Sequence, residues 1–263
     1  PPYAEMSLAL LREDDSFLLR FPGLIDFAIS NDARQIKVWP APRTQMETFC
    51  HLLLDQVLPR VLAQQGRLVV HAGAARVGDR AIAFIGNTGS GKSTLTASLH
   101  AAGYPLLADD GLVLMQREGV TLALPTYPSL RLWPDAIASL FIQAPKVATM
   151  AQYSSKRRIT MTENWAQTEG PLSLASFYVI EQRAAADDAS VSLSRLTPSE
   201  ACIAIIANSF QLDVTDGPRA AELFAIASNI SENVPVFSLV YPREYERLPE
   251  VHEAILINAR NEP

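Results

Sequence analysis

A complete phosphate-binding loop constrains this chain more than any other feature. Residues 86–94 read Gly-Asn-Thr-Gly-Ser-Gly-Lys-Ser-Thr, which is the P-loop pattern G-x-x-x-x-G-K-S. Its glycines allow backbone N–H groups to point at a phosphate, Lys92 brings a charge to the β- and γ-phosphates, and the Ser93 hydroxyl is a Mg²⁺ ligand. The predicted phosphate-binding residues are Gly86, Asn87, Thr88, Gly89, Ser90, Gly91, Lys92, Ser93 and Thr94. The alternative is a glycine-rich turn that binds nothing.

The sequence around this loop has the context that the motif requires. The apolar run of residues 81–85 predicts a strand before it. Leu95 and Leu99 predict a helix that begins at about Lys92 and stops near Gly103. The N-terminal end of such a helix carries a positive partial charge that favours bound phosphate. A strand, a loop and a helix in this order predict an α/β fold.

Two adjacent carboxylates follow soon after the predicted helix. Asp109 and Asp110 come after the apolar stretch of residues 104–107. A returning strand parallel to the P-loop strand would bring the carboxyl ends of both strands together, where ligands bind in α/β sheets. Neighbouring side chains point different ways, so one carboxylate would hold Mg²⁺ while the other accepts a proton from an attacking hydroxyl. The simpler interpretation is an Asp-Asp-Gly turn before a strand at residues 112–115.

One histidine precedes the loop. Gly78 and Asp79 lie between two apolar runs and predict a hairpin turn, which would place His71 on a strand beside the P-loop strand. There His71 would contact a phosphate or the metal. The alternative is a buried histidine whose contacts are only structural.

These motifs together resemble those of the kinases related to HPr kinase/phosphorylase. The resemblance is carried by residues 70–74, 84–94, 107–110 and 127–134, and it is specific over roughly residues 66–140. The wider group includes lasso-peptide precursor kinases, and its fold is shared with ATP-dependent phosphoenolpyruvate carboxykinase. The chain is therefore similar to a family of enzymes that phosphorylate serine.

The resemblance implies an α/β P-loop core like that of the HPr kinase C-terminal domain and of phosphoenolpyruvate carboxykinase, with ATP and Mg²⁺ as cofactors. It also implies roles for individual residues. Asp109 matches the base that receives the hydroxyl proton, Asp110 matches a metal ligand together with Ser93, and His71 matches a histidine near the phosphates. The expected partner is a protein or peptide that carries a serine, and the family suggests a homo-oligomer.

The sequence departs from HPr kinase/phosphorylase in two signatures. It lacks the Glu-Val-Arg-Gly segment and a further glycine-rich signature connected with the reverse, phosphate-dependent reaction. Kinase activity is therefore better supported than phosphorylase activity, and HPr is not assigned as the acceptor.

Two basic features complete the predicted site. Arg131 is nominated to meet the transferring phosphoryl group, because this chemistry depends on positioning and charge neutralisation. The alternative is a surface arginine beside a structural Trp-Pro corner. The basic run of residues 155–158 would bind nucleotide or an acidic acceptor peptide, or else form a solvated, mobile loop.

Composition limits the function classes. The net charge of −6 argues against general nucleic-acid binding, which needs a concentrated basic face. Cys50 and Cys202 lie far apart, so the sequence predicts no cysteine-based zinc site and suits a reducing, cytoplasmic setting. No apolar run approaches the length of a membrane span, and the N-terminal residues lack the order of a signal peptide.

The periodicity of apolar residues predicts two parts in a chain of 263 residues. Residues 1–64 are expected to form a small antiparallel β module, with strands at 17–21, 26–29 and 35–39, and a linking amphipathic helix at about 45–64. Residues 65–263 are expected to form the P-loop kinase domain. Its remaining predicted elements are strands near 113, 177–180 and 236–240, helices at 134–140, 200–208, 219–229 and 248–258, and a hairpin tip at 184–189.

The expected activity is transfer of the ATP γ-phosphoryl group to a serine hydroxyl. In this prediction Asp109 is the base, Lys92 holds the phosphates, and His71 and Arg131 neutralise developing charge. Two other classes remain open. One is a small-molecule kinase or carboxykinase-like enzyme, and the other is an ATP-gated binding or regulatory module.

Overall fold

The computed structural model describes residues 8–13, 15–143, 145–161, 170–181 and 190–261. Its strands are β1 (Ala9–Arg12), β2 (Ser16–Phe21), β3 (Ile25–Ser30), β4 (Ile36–Pro40), β5 (Leu68–Val70), β6 (Gly73–Val77), β7 (Arg80–Ile85), β8 (Leu106–Ala108), β9 (Leu112–Arg117), β10 (Val120–Leu124), β11 (Ser129–Leu132), β12 (Val147–Ala151), β13 (Ser154–Thr160), β14 (Leu172–Ile180), β15 (Ser192–Arg195) and β16 (Val236–Val240). Its helices are α1 (Met46–Leu52), α2 (Leu58–Gln64), α3 (Lys92–Ala101), α4 (Pro134–Leu140), α5 (Pro198–Ala207), α6 (Gly217–Asn233) and α7 (Leu248–Asn261).

The N-terminal strands form a small antiparallel sheet in the order β1-β2-β3-β4. Alternate residues of β3, namely Ile25, Phe27 and Ile29, are buried, as expected for a sheet with one face on a core. That face packs against Leu52 and Val57 of the following helical segment. The predicted β strands are present, and β1 adds a strand that the sequence pattern did not indicate.

The linking segment is helical from Met46 to Gln64, but its middle differs from the prediction. Residues Leu53–Val57 form a π-helical segment between α1 and α2. Such segments are rare and often occur at functional sites. Here the segment carries Asp55, whose side chain is 1 % exposed, into the interior.

The P-loop strand lies near the middle of a mixed sheet with the order β5-β9-β10-β14-β7-β6-β8, and β16 and β15 continue from β14. Strand β7 is buried on both faces and pairs in parallel with β14. Its residues 81, 83 and 85 pack with helices α5 and α6, whereas residues 82 and 84 pack with α3 and α7. The predicted α/β arrangement is therefore present.

The neighbour of the P-loop strand differs from the prediction. Strand β8 was expected to lie beside β7, but β6 lies between them and pairs antiparallel with both. The reason is the tight turn at residues 78–79, which folds β6 directly back on β7 and occupies that edge. Strands β7 and β8 still run in the same direction, so Asp109 and the P-loop lie at the same end of the sheet.

The position of His71 is also corrected. It was expected on a strand, but it lies in the short connection between β5 and β6. Its backbone N–H donates to the carbonyl oxygen of Asn208 at 2.7 Å. His71 is therefore placed at the edge of the sheet rather than within it.

The basic run of residues 155–158 belongs to strand β13, which pairs antiparallel with β11 and β12. The alternative of a mobile loop is therefore wrong.

Strands β14 and β16 and helices α4 to α7 agree with their predicted positions within a few residues. Helix α5 begins two residues before its predicted start, at a reciprocal capping box between Thr197 and Glu200. The predicted hairpin tip at 184–189 lies outside the described residues.

Two further observations concern membrane-spanning helices and the cysteines. Among the described residues, no helix combines the length and apolar character needed to cross a membrane. Cys50 and Cys202 are both free thiols.

Gly73 lets β6 approach the P-loop helix closely. A Cβ atom at this position would lie 2.1 Å from Thr96 Oγ1 and 3.2 Å from Thr96 Cβ. We expect Gly73→Ala to lower the free energy of unfolding by about 1–3 kcal/mol, because this overlap forces α3 or β6 to shift. Urea denaturation measures the loss.

Thr96→Ala provides the matched control for that overlap. The Thr96 hydroxyl is buried and has no hydrogen-bond partner among the described residues, so its removal alone should cost little. The Gly73→Ala/Thr96→Ala double variant should recover most of the loss. An unfolding midpoint for Gly73→Ala equal to that of the wild type would show that the predicted overlap is not real.

Candidate active site

The loop between β7 and α3 is already shaped to surround an anion. Gly86, Gly89 and Gly91 have φ angles of 143°, 77° and 102°, which side chains other than glycine rarely adopt. The backbone N–H of Gly86 donates to Asn208 Oδ1 at 3.0 Å. A Cβ atom at Gly86 would lie 2.8 Å from the carbonyl oxygen of Ile180, so only glycine fits between the loop and β14.

Lys92 is the first residue of α3, and its ammonium group lies inside the loop. Its Nζ donates to the carbonyl oxygens of Gly86 at 2.7 Å and Asn87 at 3.1 Å. Burial lowers the pKa of Lys92, and the nearby charges of Asp110 and Asp109 oppose that effect. Phosphate oxygens would replace neutral carbonyl partners with charged ones, which strengthens the hydrogen bonds.

Asp109 follows β8 and is fully engaged below the loop. Its Oδ1 accepts a hydrogen bond from Ser93 Oγ at 2.8 Å, and its Oδ2 accepts from the backbone N–H of Arg131 at 3.0 Å. The side chain is 1 % exposed. Burial raises the pKa of Asp109, and the positive charge of Arg131 opposes this rise. Both oxygens of the carboxylate therefore have partners within the protein.

Asp110 points in another direction and reaches the surface of the site. Its φ angle is +77°, a left-handed conformation that is uncommon outside glycine and recurs at functional sites. Its Oδ1 lies 2.9 Å from His71 Nε2, and 22 % of its side chain is exposed. Burial alone would raise the pKa of Asp110, but the charge of Arg131 and the hydrogen bond with His71 hold it well below its usual value.

Arg131 lies behind the two carboxylates instead of facing solvent. Its side chain is 2 % exposed. The guanidinium forms ion pairs with Asp55, with Asp109 at 3.2 Å and with Asp110 at 3.3 Å. It also donates to the Tyr127 hydroxyl at 2.8 Å and to the backbone carbonyl oxygen of Asp109.

This geometry bears on the role predicted for Arg131. Its donors are directed at carboxylates, a carbonyl and a phenol, and the residue also borders the cavity beside Lys92 and Asp110. The alternative of a surface arginine is wrong, because the side chain is buried. Burial tends to lower the pKa of Arg131, but the three carboxylates raise it above its usual value. Arg131 therefore holds the acidic residues in place as a permanent cation.

Asp55 is a site residue that the sequence analysis missed. It lies in the π-helical segment and contacts Arg131, His51 Nδ1 at 2.5 Å and Arg158 Nη2 at 3.3 Å. The Tyr127 hydroxyl also donates to it. A single acidic residue in a helix matches no motif. Its one sequence signal is its position on the apolar side of an amphipathic segment, three residues after Leu52.

The P-loop has further contacts that lack a sequence motif. Arg243 donates to the carbonyl oxygens of Gly89 and Ser90, each at 3.2 Å. The Tyr241 hydroxyl lies close to Gly91, where a Cβ atom would approach it to 3.1 Å. These residues follow β16, so the carboxyl end of that strand also contributes to the site.

Two cavities meet at the P-loop. The larger, about 600 Å³, borders Lys92, Ser93 and Asp110 and extends to Trp133 and Lys156. In it Lys156 Nζ lies 5.4 Å from the centre of the Trp133 ring. The smaller, about 370 Å³, borders the start of the loop. His71 and Thr88 line both cavities, so the two cavities adjoin at these residues.

The oxygen donors beside Lys92 suit Mg²⁺. Mg²⁺ is usually held by one or two carboxylates together with substrate phosphates and water. Ser93 Oγ and Asp109 Oδ1 lie 2.8 Å apart and provide a hydroxyl and a carboxylate of this kind. Among the described residues, no group of three or more His, Cys, Asp or Glu forms a metal cage. The donor set therefore fits a metal ion that arrives with a nucleotide.

Comparisons with known proteins find matches among solved structures. No family model matches the sequence, and no curated protein matches it. Among solved structures, the Hpr(Ser) kinase/phosphatase from Coxiella burnetii is similar over 73 % of this chain and 95 % of that chain, with 12 % sequence identity and a TM-score of 0.36. At this level of similarity no activity follows from the likeness.

The ion cluster around Arg131 predicts a large difference between two neighbouring arginines. Arg131→Met leaves Asp55, Asp109 and Asp110 without their shared cation, so we expect a loss of roughly 3–5 kcal/mol in the free energy of unfolding. Arg158→Met removes a contact that Asp55 can spare, because Asp55 keeps Arg131. Urea denaturation of both variants at neutral pH measures the difference. Equal losses would show that Arg131 has no special position.

Proposed function

We propose that this protein is an ATP- and Mg²⁺-dependent kinase that transfers the γ-phosphoryl group to a serine hydroxyl of a protein or peptide. One observation carries the proposal. The pair Ser93–Asp109 lies directly beside the pair His71–Asp110, between the P-loop and an open cavity. A metal-binding pair next to a solvent-accessible carboxylate is the arrangement that phosphoryl transfer requires.

The loop residues hold the triphosphate in this proposal. The loop amides, the N-terminal end of α3 and the Lys92 ammonium would supply donors and positive charge. The amides of Gly86 and Ser90 are excepted, because they donate to Asn208 Oδ1 and to the carbonyl oxygen of Asn87. Arg243 donates to the loop carbonyls and adds a second cation that the sequence pattern did not reveal.

Ser93 and Asp109 would hold Mg²⁺. When bound, the ion would neutralise part of the phosphate charge. Asp109 suits this role because its Oδ1 already faces Ser93 Oγ. The proposal therefore exchanges the roles that the family resemblance implied for the two aspartates.

Asp110 receives the proton of the acceptor hydroxyl. It is the more exposed of the two carboxylates, it lines the larger cavity, and His71 holds its Oδ1. Arg131 acts as a positioning residue, since it forms ion pairs with both carboxylates. His71 Nε2 lies within hydrogen-bond distance of Asp110 Oδ1, so it would stay in contact with Asp110 during transfer.

The exchange of roles predicts different defects for two isosteric variants. Asp110→Asn should still bind ATP with Mg²⁺ but lose about 10²–10⁴-fold in transfer rate, because a positioned proton acceptor contributes that much. Asp109→Asn should instead raise the Mg²⁺ concentration needed for nucleotide binding. Calorimetry measures binding, and intact mass spectrometry measures transfer to an HPr-like protein, a serine-ending peptide and free serine.

The result for Asp110→Asn decides between the two assignments. Wild-type transfer by this variant, with transfer lost in Asp109→Asn, would restore Asp109 as the base. Transfer only to free serine would indicate a small-molecule kinase. ATP binding without transfer to any acceptor would instead favour an ATP-gated binding module.

Lys92→Ala tests whether the loop binds nucleotide at all. The variant should weaken ATP binding by about tenfold or more, because it removes a charge-assisted contact to phosphate. Lys37→Ala, at an exposed position of β4, is the matched control and should bind as the wild type does. Equal ATP affinity in Lys92→Ala and the wild type would reject the loop as a nucleotide site.

A further inference from the structure

The smaller cavity opens on the side of the P-loop away from Lys156 and Trp133. Its walls include Gly86, Asn87 and Thr88 at the start of the loop, and His71, which holds Asp110. It has a volume of about 370 Å³, large enough for several atoms of a second ligand. A molecule in this cavity would reach His71, the hydrogen-bond partner of the proposed base Asp110.

Arg60 of α2 lines the opposite wall, and its guanidinium has no carboxylate partner among the described residues. Its Nη1 donates to the carbonyl oxygen of Gln56 at 2.7 Å and to Gln56 Oε1 at 3.2 Å, and no described residue accepts from Nε or Nη2. Burial lowers the pKa of Arg60 to about 10, so the group remains charged at neutral pH. Arg131, by comparison, has three carboxylate partners.

Phe210 holds Arg60 and His71 in one arrangement. The Arg60 guanidinium lies 5.2 Å from the centre of the Phe210 ring, and the His71 ring lies 5.9 Å from the same ring. Stacking on an aromatic ring fixes the plane of a guanidinium without using its hydrogen-bond donors. Nε and Nη2 of Arg60 are therefore the donors that remain for a planar anion.

The rest of the wall suits a peptide. Asn208, Ser209 and Gln211 provide polar side chains, and Val214 is 71 % exposed at the same cavity. The Asn208 side chain is already used, since it bonds to Gly86 N–H and to the carbonyl oxygen of Ala204. Arg60 is thus the cation on this wall that is free to bind an incoming group.

We propose that this cavity binds the phosphate acceptor and that Arg60 binds a carboxylate of the acceptor close to the serine that is phosphorylated. The inference rests on the proposed kinase function, and it specifies the acceptor class. A carboxylate matches the forked donors of a guanidinium, and its charge compensates the desolvated cation. The carboxylate comes either from a C-terminal serine itself or from an acidic side chain beside an internal serine.

Two pairs of short acetylated peptides test this assignment and identify the source. In the first pair a C-terminal serine has a free acid or an amide. In the second pair an internal serine is followed by glutamate or glutamine, and the C-terminus is an amide. Calorimetry measures the binding of each peptide to the protein with Mg²⁺ and a non-hydrolysable ATP analogue. One pair should differ by about tenfold or more in Kd, with the carboxylate peptide binding more tightly.

Arg60→Gln should abolish this difference and leave binding of the ATP analogue unchanged. Arg117→Gln, at an exposed arginine of β9, is the matched control and should keep the difference. The inference is overturned if the wild type binds both members of both pairs equally, a comparison that needs no variant. It is also overturned if Arg60→Gln keeps the discrimination, or if that variant loses the ATP analogue instead.

Phosphate transfer is measured separately with ATP and mass spectrometry. Carboxylate-dependent binding without transfer would reject the proposed kinase function and leave Arg60 as a carboxylate-binding residue. Equal transfer to the acid and amide peptides would support the kinase function and reject this inference.

Discussion

The buried ion cluster around Arg131 is the interaction on which the site depends. The guanidinium joins Asp55 of the N-terminal helical segment to Asp109 and Asp110 at the end of β8. Its own strand, β11, belongs to the three-stranded sheet of β11, β13 and β12. Three carboxylates at this distance would repel one another without a cation between them. Because an arginine stays protonated when buried, the cluster keeps its geometry over the physiological pH range. Within this cluster the two aspartates point in different directions. Asp110 adopts a left-handed backbone conformation and contacts His71, whereas Asp109 contacts Ser93.

The helical segment from Met46 to Gln64 takes part in both halves of the molecule. One side covers the small N-terminal sheet through Leu52 and Val57. The other side presents Asp55 to Arg131 and Arg60 to the smaller cavity. The π-helical turn between α1 and α2 changes the direction in which side chains point. The buried Asp55 and the partly exposed Arg60 therefore come from one continuous helical segment. The N-terminal part of the chain therefore contributes residues to the candidate site.

Several features could be predicted because neighbouring residues encode them. Strand β7, the glycine loop and helix α3 follow from one short motif, and Thr197 with Glu200 marks the start of α5. The hairpin at residues 78–79 was predicted, but its consequence was not, since β6 then occupies the place expected for β8. The direction in which Arg131 points could not be predicted, because a basic residue between apolar neighbours fits a surface strand as well as a buried one. Asp55 and Arg60 had no motif, and their importance lies in partners far along the chain.

The amino-acid sequence by itself determined the chemistry available to this protein: a loop of backbone donors with Lys92 and Ser93, and two adjacent carboxylates soon after it. The tertiary structure decided how that chemistry is divided. In the folded chain Asp109 accepts a hydrogen bond from Ser93, and Asp110 contacts His71 and borders the open cavity. Arg131 is buried. The physical reason is the separation along the chain of the residues that set each property. Backbone conformation and motif spacing depend on residues a few positions apart, whereas burial and ion pairing depend on which distant segments pack together, as residues 55 and 131 do here.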